Sequence, residues 1–402
     1  MANRLIAPSL ADVSQDIAGV IPVDVILRWA TGRKTAANHR LLLEPFVVKG
    51  TVASSDSAGL SKLTKFRSLL EVMKLVNQPK EIVFAYGSAI GGKAIGVWAA
   101  DNTQMFYDEG VDPESVVEQM IGAQSEIKNL EVQIGIGIHK GEFIHIGDGL
   151  FGRQADLIED LTENETAGGE ILMTNKLLGK AAKKWGQYLV KRDLRPRCYS
   201  LDYGKLRVKP VKTKKFSYPY PFTHDFFRFI RADGIDDRRP EYLKYSQVKI
   251  VVLVKIVHKQ RRLLLDQLAD WVLANAILKK ITVLDGISEI KSNGSLGIFI
   301  TDSVQQAIEF AVDLKDTMGA NGFVANVGIS KGEVLVFPLG KNKFEIAGGA
   351  VNIASKLAED SGAAGEILVE DSVKLSGTKT PKLKEFAIKL SAVELRGVKL
   401  LT

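Results

Sequence analysis

Two aspartates start the chemistry. Asp56 lies in "SSDSAGLSKLT" (54–64), where a strand-like run ends and Ser57, Ala58, Gly59, Leu60 and Ser61 lead into an expected helix. Such a turn points backbone N–H groups outward at a helix N-terminus, a natural seat for phosphate. Asp101, in "AADNTQMFY" (99–107), is expected at the end of a hairpin strand. Two carboxylates at strand ends over a phosphate seat suit a pair of Mg2+ ions, because hard cations take oxygen ligands and nucleotide phosphates supply the rest. Capping alone also puts aspartate at helix starts, so the two residues need support from the rest of the chain. A nearby decoy falls away: "GSAIGGKA" (87–94) ends in Ala94 where a phosphate loop needs Ser or Thr, and "IGVWAAD" after it reads as a strand. It is expected to be a glycine-rich hairpin turn.

The support comes from a repeat. "GIHKGE" (137–142) returns as "GISKGE" (328–333), 328 − 137 = 191 positions on, and "AGGEIL" (167–172) returns as "AAGEIL" (363–368), 363 − 167 = 196 positions on. The offset grows by 196 − 191 = 5, which predicts a small insertion in the second copy at "FPLGKNK". Two units of this size are a duplicated domain and not a solenoid, whose repeats run roughly 20–50 residues. Hydrophobic periodicity reads each copy alike. A strand ("FVVKGTVASS"; "KIVVLVKIV") precedes an amphipathic helix ("LSKLTKFRSLLEVMKLV"; "RLLLDQLADWVLANAI") and a β-hairpin ("KEIVFAYGSAIGGKAIGVWAA"; "ITVLDGISEIKSNGSLGIFI"). A second helix ("PESVVEQMIGAQSEI"; "SVQQAIEFAVDLKDTM") leads into the motif strand, and a third helix and the "GEIL" strand close the copy. This order suggests an α/β sandwich of the ferredoxin-like kind.

The copies differ where chemistry would sit. Opposite the Asp101 segment the second copy has "IKSNGSLGIF": Ser295 replaces the aspartate, and Lys291 stands four residues upstream where the first copy has Val97. "KFEIAGGAVNIASKLAED" (343–360) matches "DGLFGRQADLIEDLTEN" (148–164), so Asn352 and Lys356 face Asp156 and Asp160. Asn352 and Lys356, four apart, share a helix face and could stabilise an anionic transition state. Lys255 or a neighbour falls where Asp56 would be. One copy keeps carboxylates; the other keeps donors.

Composition sets outer limits. The chain has 402 residues, net charge +7 and a single cysteine, Cys198, so an intrachain disulfide framework and a CxxC metal site are both excluded. The five histidines show no ligand spacing. The N-terminus lacks a signal-peptide pattern, and the longest apolar run, "VKIVVLVKIVHK" (248–259), is interrupted by Lys249 and Lys255 and reads as a buried strand. No membrane span is expected, and a reducing cytoplasm fits. The basic charge would also suit nucleic acid, but the motif strands "VQIGIGI" and "VANVGI" carry no aromatic residue for stacking on bases, so no nucleic-acid partner is expected.

Together these segments resemble the paired catalytic domains of class III nucleotidyl cyclases, the adenylyl and guanylyl cyclase family. "DSAGLS" resembles the family's D-I-x-G-F-[ST] metal motif, "IKSNGS" the K-x-x-G-S form of the metal-free partner domain, and "EIAGGAVNIASKL" its D-I-W-G-x-x-V-N-x-A-[SA]-R-[LM] motif. The resemblance spans about 45–175 and 246–372. It implies two ferredoxin-like cyclase domains packed as an intrachain pseudo-dimer, with one competent composite site. The implied layout is an N-terminal helical segment at 1–44, the metal-binding domain at 45–190, terminal strands and a linker at 191–245, and the base- and transition-state-binding domain at 246–402; a higher oligomer is left open. Asp56 and Asp101, helped by the backbone at Ser57, would hold two Mg2+ or Mn2+ ions. Lys291 and Glu345 would read the base, Asn352 would orient the ribose, and Lys356 would stand where the family has arginine. Arg396 would touch the polyphosphate. The implied reaction turns a nucleoside triphosphate, ATP for preference, into a 3′,5′-cyclic nucleotide and pyrophosphate. Two alternatives stand beside it: a CTP or UTP cyclase in bacterial anti-phage signalling, and an inactive nucleotide-binding pseudocyclase. The chain departs from the family pattern in Lys356 for arginine and Glu345 for aspartate.

Overall fold

The computed structural model describes residues 22–58, 67–96, 98, 102–147, 149–179, 184–213, 223–232, 241, 243–257, 263–282, 286–293, 296–339, 344–359, 363–390 and 393–402. The chain divides into two units. The first-copy unit comprises Leu43–Pro221 and Phe227–Ile235; the second-copy unit comprises Met1–Leu42, Phe222–Phe226 and Asp236–Thr402.

Each unit is built on an eight-stranded sheet, and the strand order is the same in both. In the first it runs β2(Lys93–Ala94), β3(Thr103–Asp108), β1(Val47–Ala58), β4(Gln133–Ile146), β6(Ile171–Thr174), β8(Cys198–Leu201), β7(Leu189–Arg192), with β5(Gly149–Phe151) folded onto β4. In the second it runs β10(Ser288–Asn293), β11(Leu296–Thr301), β9(Ser246–Val257), β12(Val324–Pro338), β14(Ile367–Glu370), β16(Val393–Leu401), β15(Lys382–Leu390), with β13(Phe344–Ala347) on β12. The central pairs are antiparallel, and β4–β6 and β12–β14 are parallel.

The repeated motif is a packing device. Along β4, Ile134, Ile136 and Ile138 point to one face and are all buried at 1% exposure or less. Side chains alternate on a strand, so Gly135 and Gly137 face the other way, toward the helix at Arg153–Glu165. A Cβ on Gly137 would lie 2.4 Å from Thr162 Oγ1, and one on Gly135 2.0 Å from Thr166 Oγ1. In β12 the buried set is Ala325, Val327 and Ile329. A Cβ on Gly328 would lie 2.0 Å from the Ala354 carbonyl oxygen of the helix at Gly349–Glu359. The glycines let that third helix settle on the sheet. Each isoleucine so buried contributes about 1.5–3 kcal/mol.

The expected insertion is present where the offset placed it. Ile144 pairs with Phe151 in the β4–β5 hairpin, and Leu335 with Ala347 in the β12–β13 hairpin. The spans are 151 − 144 = 7 and 347 − 335 = 12, five residues apart.

One element of the first copy differs from expectation. Instead of a helix ending near residue 76 and a hairpin over 80–100, a single helix runs Leu69–Ser88, through Pro79. It opens on a serine N-cap: Ser68 Oγ accepts from the Glu71 N–H at 3.3 Å. Proline removes one helical hydrogen bond, yet Leu70, Val76, Pro79, Ile82 and Val83 lie on buried positions of the helix, and that packing outweighs the lost bond. The glycine-rich stretch after it turns at Gly91 (φ 88°) and enters β2, not a helix.

Near the N-terminus, the helix Val23–Thr31 and the helix Ala36–Leu43, as far as Leu42, belong to the second-copy unit. Trp29 is fully buried there, its indole N–H donating to Asp266 Oδ1 at 2.9 Å. The Leu265 N–H donates to His39 Nε2 at 3.3 Å. No described helix is long and apolar enough to cross a membrane.

Candidate functional site

Strand register, anchored on the repeated motif glycines Gly137 and Gly328, extends the alignment of the copies to their first strands. Gly137 pairs with Ser54, and Gly328 with Leu253. Two residues along, Asp56 lies across from Gly135, and Lys255 across from Asn326. Lys255 therefore occupies the place of Asp56. Its Nζ lies 3.2 Å from Glu359 Oε2, a pairing that the sequence reading missed. Asn326, in the place of Gly135, donates from Nδ2 to the Ala358 carbonyl at 3.2 Å and accepts from the Gly365 N–H at 2.7 Å. The second copy has thus filled this strand end with its own polar contacts.

The third helices align in the same way. The Asp156 N–H donates to the Gly152 carbonyl and the Asn352 N–H to the Gly348 carbonyl, each at 3.1 Å. Gly152 (φ 92°) and Gly348 (φ 148°) both take the positive φ that favours glycine at a helix start. Asn352 thus stands for Asp156, and Lys356, one turn on, for Asp160. Asn352 is exposed and Lys356 half-buried.

In the second-copy unit, the structure brings Lys291 and Glu345 together. Lys291 lies on β10 just past a register shift, Glu345 on β13 across from Phe337, and Lys291 Nζ meets Glu345 Oε2 at 2.8 Å. Glu345 is 6% exposed, and its Oε1 accepts from the Ile346 N–H at 3.2 Å. The pair presents a cation and a carboxylate side by side, able to meet an acceptor and a donor on one flat ring. Arg396 lies apart from it on β16, exposed, with Nε donating to Glu394 Oε1 at 3.0 Å.

In the first-copy unit, Asp56 is half-buried at the end of β1, followed by Ser57 and Ala58 on the same strand. Ser57 is buried, and its Oγ has no hydrogen-bond partner. All the donors here are oxygens, which suits Mg2+ or Mn2+ in kind. Among the described residues no three His, Cys, Asp or Glu side chains cluster as a metal site. Asp101, Gly59, Leu60, Ser61, Val97 and Ser295 lie outside the described residues. The stretch 59–66, where the helix over the phosphate seat is expected to begin, lies outside the described residues, and the described helix after it starts at Leu69.

A further residue escaped the sequence reading. Lys80 is 3% exposed, and its Nζ donates to the Trp98 carbonyl at 3.0 Å, in the stretch leading to Asp101. A lysine among apolar helix positions was its only signal, and Pro79 concealed the helix.

The whole chain is similar to a solved class III adenylyl cyclase-like ATP-binding protein from Pseudomonas aeruginosa, over 92% of each chain, at 12% identity and a TM-score of 0.53. Similarity to the adenylyl cyclase CyaB from P. aeruginosa covers 43% of this chain and 98% of that one, at 16% identity and a TM-score of 0.32. For a bacterial light-regulated adenylyl cyclase the figures are 39% and 91%, at 20% identity and 0.33. No family model and no curated protein matches the sequence. Two sheets of one strand order and a match along 92% of the chain give the fold: it is that of the class III adenylyl cyclase-like proteins.

Proposed function

We propose that the chain is a class III nucleotidyl cyclase with one composite site, forming a 3′,5′-cyclic nucleotide and pyrophosphate from a nucleoside triphosphate, ATP for preference. The observation that carries this reading is the reciprocal exchange at equivalent positions: Asp56 against Lys255, and Asn352 and Lys356 against Asp156 and Asp160. A duplicated domain kept only for structure has no reason to lose carboxylates in one copy and donors in the other.

In this reading Asp56, Asp101 and the main chain at Ser57 hold Mg2+ or Mn2+. When bound, such ions lower the pKa of the ribose 3′-hydroxyl and offset triphosphate charge. Lys291 and Glu345 read adenine, the ammonium meeting a ring nitrogen and the carboxylate accepting from the exocyclic amine. Asn352 orients the ribose, and Lys356 faces the charge that grows on the α-phosphate as pyrophosphate departs. Positioning and electrostatics supply most of the rate in such transfers. Arg396 contributes at the polyphosphate.

The test is product identification by chromatography with mass detection, using purified protein with Mn2+ and ATP, GTP, CTP or UTP separately. A cyclic nucleotide that vanishes in Asp56→Ala supports the proposal and names the base. A pyrimidine product would move the chain to the CTP/UTP reading. A second reading, nucleotide binding without turnover, is favoured by Lys356, which lacks the planar fork of arginine. The ATP-binding description of the P. aeruginosa neighbour agrees with it. ATP binding with no product from any of the four would select it.

A further inference from the structure

We propose that Ser55 and Thr103 are positioning residues of the metal-binding half: a buried hydroxyl pair that fixes the strand carrying Asp56 against the segment carrying Asp101. The inference rests on the reading of those two aspartates as ligands of Mg2+ or Mn2+.

The pair joins the two motifs in which the aspartates lie. Ser54 and Ser55 immediately precede Asp56 in "SSD", and Thr103 follows Asp101 by two residues in "DNT". Ser55 lies directly across from Thr103 in the β1–β3 ladder, and residues so placed share a face of the sheet. Ser55 Oγ and Thr103 Oγ1 share a hydrogen bond at 2.6 Å. Ser54 Oγ donates to the Thr103 carbonyl at 3.2 Å. Successive side chains on a strand point to opposite faces, so Thr103 is gripped from both sides of the sheet. Ser54, Ser55 and Thr103 are 6%, 1% and 3% exposed. On the other side of Asp101, three residues before it, Lys80 holds the Trp98 carbonyl.

The second copy shows that the sheet does not need these hydroxyls. The register that matches Ser54 to Leu253 matches Ser55 to Val254, and it matches Thr103 to Gly297, which lies across from Val254. Continued two residues back, it matches Asp101 to Ser295. Where the aspartates are absent, every member of the stitch is therefore aliphatic or glycine, and the strands still pair. Burying a hydroxyl costs free energy unless it is hydrogen-bonded, and burying an aliphatic side chain does not. The stitch is an addition of the carboxylate copy and not a requirement of the fold.

The ladders also stop at different places. Among the described residues, the β1–β3 pairing ends at Ser55 with Thr103, while the β9–β11 pairing runs one step further, to Lys255 with Leu296. The step missing from the first copy is the one at Asp56. The hydroxyl pair ties the last rung before it, so the point where the ladder stops is fixed. Hydrogen bonds one step behind a metal ligand typically set affinity by about 10–100-fold.

The test is Mn2+ binding to the full chain, read from loss of the free-ion electron paramagnetic resonance signal, beside the thermal midpoint without metal. Titrations run well below each midpoint, so that unfolded chain does not enter Kd. The double variant Ser55→Ala/Thr103→Val removes both hydroxyls and nearly keeps their shape; its midpoint should stay close to the parent's, since neither partner is left unsatisfied. Its Kd for Mn2+ should weaken about tenfold or more, while Thr103→Ser, which keeps the hydroxyl, should bind as the parent does. A pair that served stability alone would lower the midpoint and leave Kd unchanged. Gly328→Ala, which crowds the helix of the second-copy unit, should keep the parent's Kd; a loss there equal to the double variant's overturns the proposal, because lost stability alone would then explain it. If Asp56→Ala weakens Mn2+ binding and the double variant does not, this proposal fails and the metal site stands. If the parent binds no Mn2+, or Asp56→Ala binds it equally well, the metal site fails and the proposal with it.

Discussion

Asp56 and Lys255 hold one and the same position in two sheets of identical strand order, one across from Gly135 and the other across from Asn326. A charge has been reversed there while the backbone around it was kept. If the two strand ends perform different tasks, Asp56→Ala should remove cyclic nucleotide formation by about a hundredfold or more, the scale on which losing one preorganised electrostatic group acts. Lys255→Ala should change the rate far less, since Lys255 already serves a local pair with Glu359. Initial rates for the two variants under one set of conditions decide it; equal losses would contradict the division of labour.

Lys291 and Glu345 should prove coupled. Removing the lysine's charge in Lys291→Met leaves a carboxylate that is 6% exposed without its cation. The half-exposed lysine softens the loss, so about 1–3 kcal/mol of stability should go. The double variant Lys291→Met/Glu345→Gln should recover part of that while losing nucleotide discrimination. Urea midpoints for the singles and the double, run as a cycle, give the coupling.

Lys356→Arg should raise the rate. Guanidinium meets two phosphate oxygens at once, and ammonium only one. An increase of about tenfold in kcat with little change in KM would mark an effect confined to the transition state. A change in KM alone would place Lys356 in ground-state binding.

Gly328→Ala should destabilise the second-copy unit by about 1–3 kcal/mol, the usual range for overpacking. The new Cβ would come within 2.0 Å of the Ala354 carbonyl oxygen, a backbone atom that cannot rotate away. Gly349→Ala, where a Cβ meets nothing within 4 Å, is the control. Thermal midpoints of the two should differ in that order.

Acid should loosen the N-terminal helices. Burial lowers the pKa of His39 from its ordinary 6.5, and the nearby Asp266 charge opposes this only in part. Trp29, edge-on at 5.7 Å, and the Leu265 N–H both face the ring, and Lys34 sits over Trp29. The folded state favours neutral His39, while the unfolded chain takes up a proton near pH 6.5. Stability from this group is therefore complete above that pH and falls as pH drops below it toward the lower folded value. Urea midpoints between about pH 7 and pH 5 should fall less steeply in His39→Gln than in the parent. His139, also shifted down by burial, adds to the slope that remains.

Much of this was written in the sequence. The two "GI-x-KGE" copies located β4 and β12, and the five-residue change of offset located the longer hairpin. The helices Pro113–Ile127 and Val304–Ala320 lie almost where their apolar periodicity put them. The helix Leu69–Ser88 was obscured because Pro79 is a local breaker, and only the tertiary packing of Ile82 and Val83 carries the helix past it. The 2.8 Å approach of Lys291 to Glu345 joins residues 54 positions apart, a separation no periodicity reports. The meaning of the motif glycines was also hidden, because Thr162 and Ala354 that press on them come from another element.

The open sides of the two sheets carry their own message. β2 has two residues and β7 four, too short to template another strand. β15 has nine, and exposes Lys382, Lys384 and Lys389 along its length. A strand arriving from another molecule would have to settle beside those ammonium groups. Length guards the two edges of the first sheet, and charge guards the β15 edge of the second, against the edge-to-edge growth by which sheet proteins aggregate.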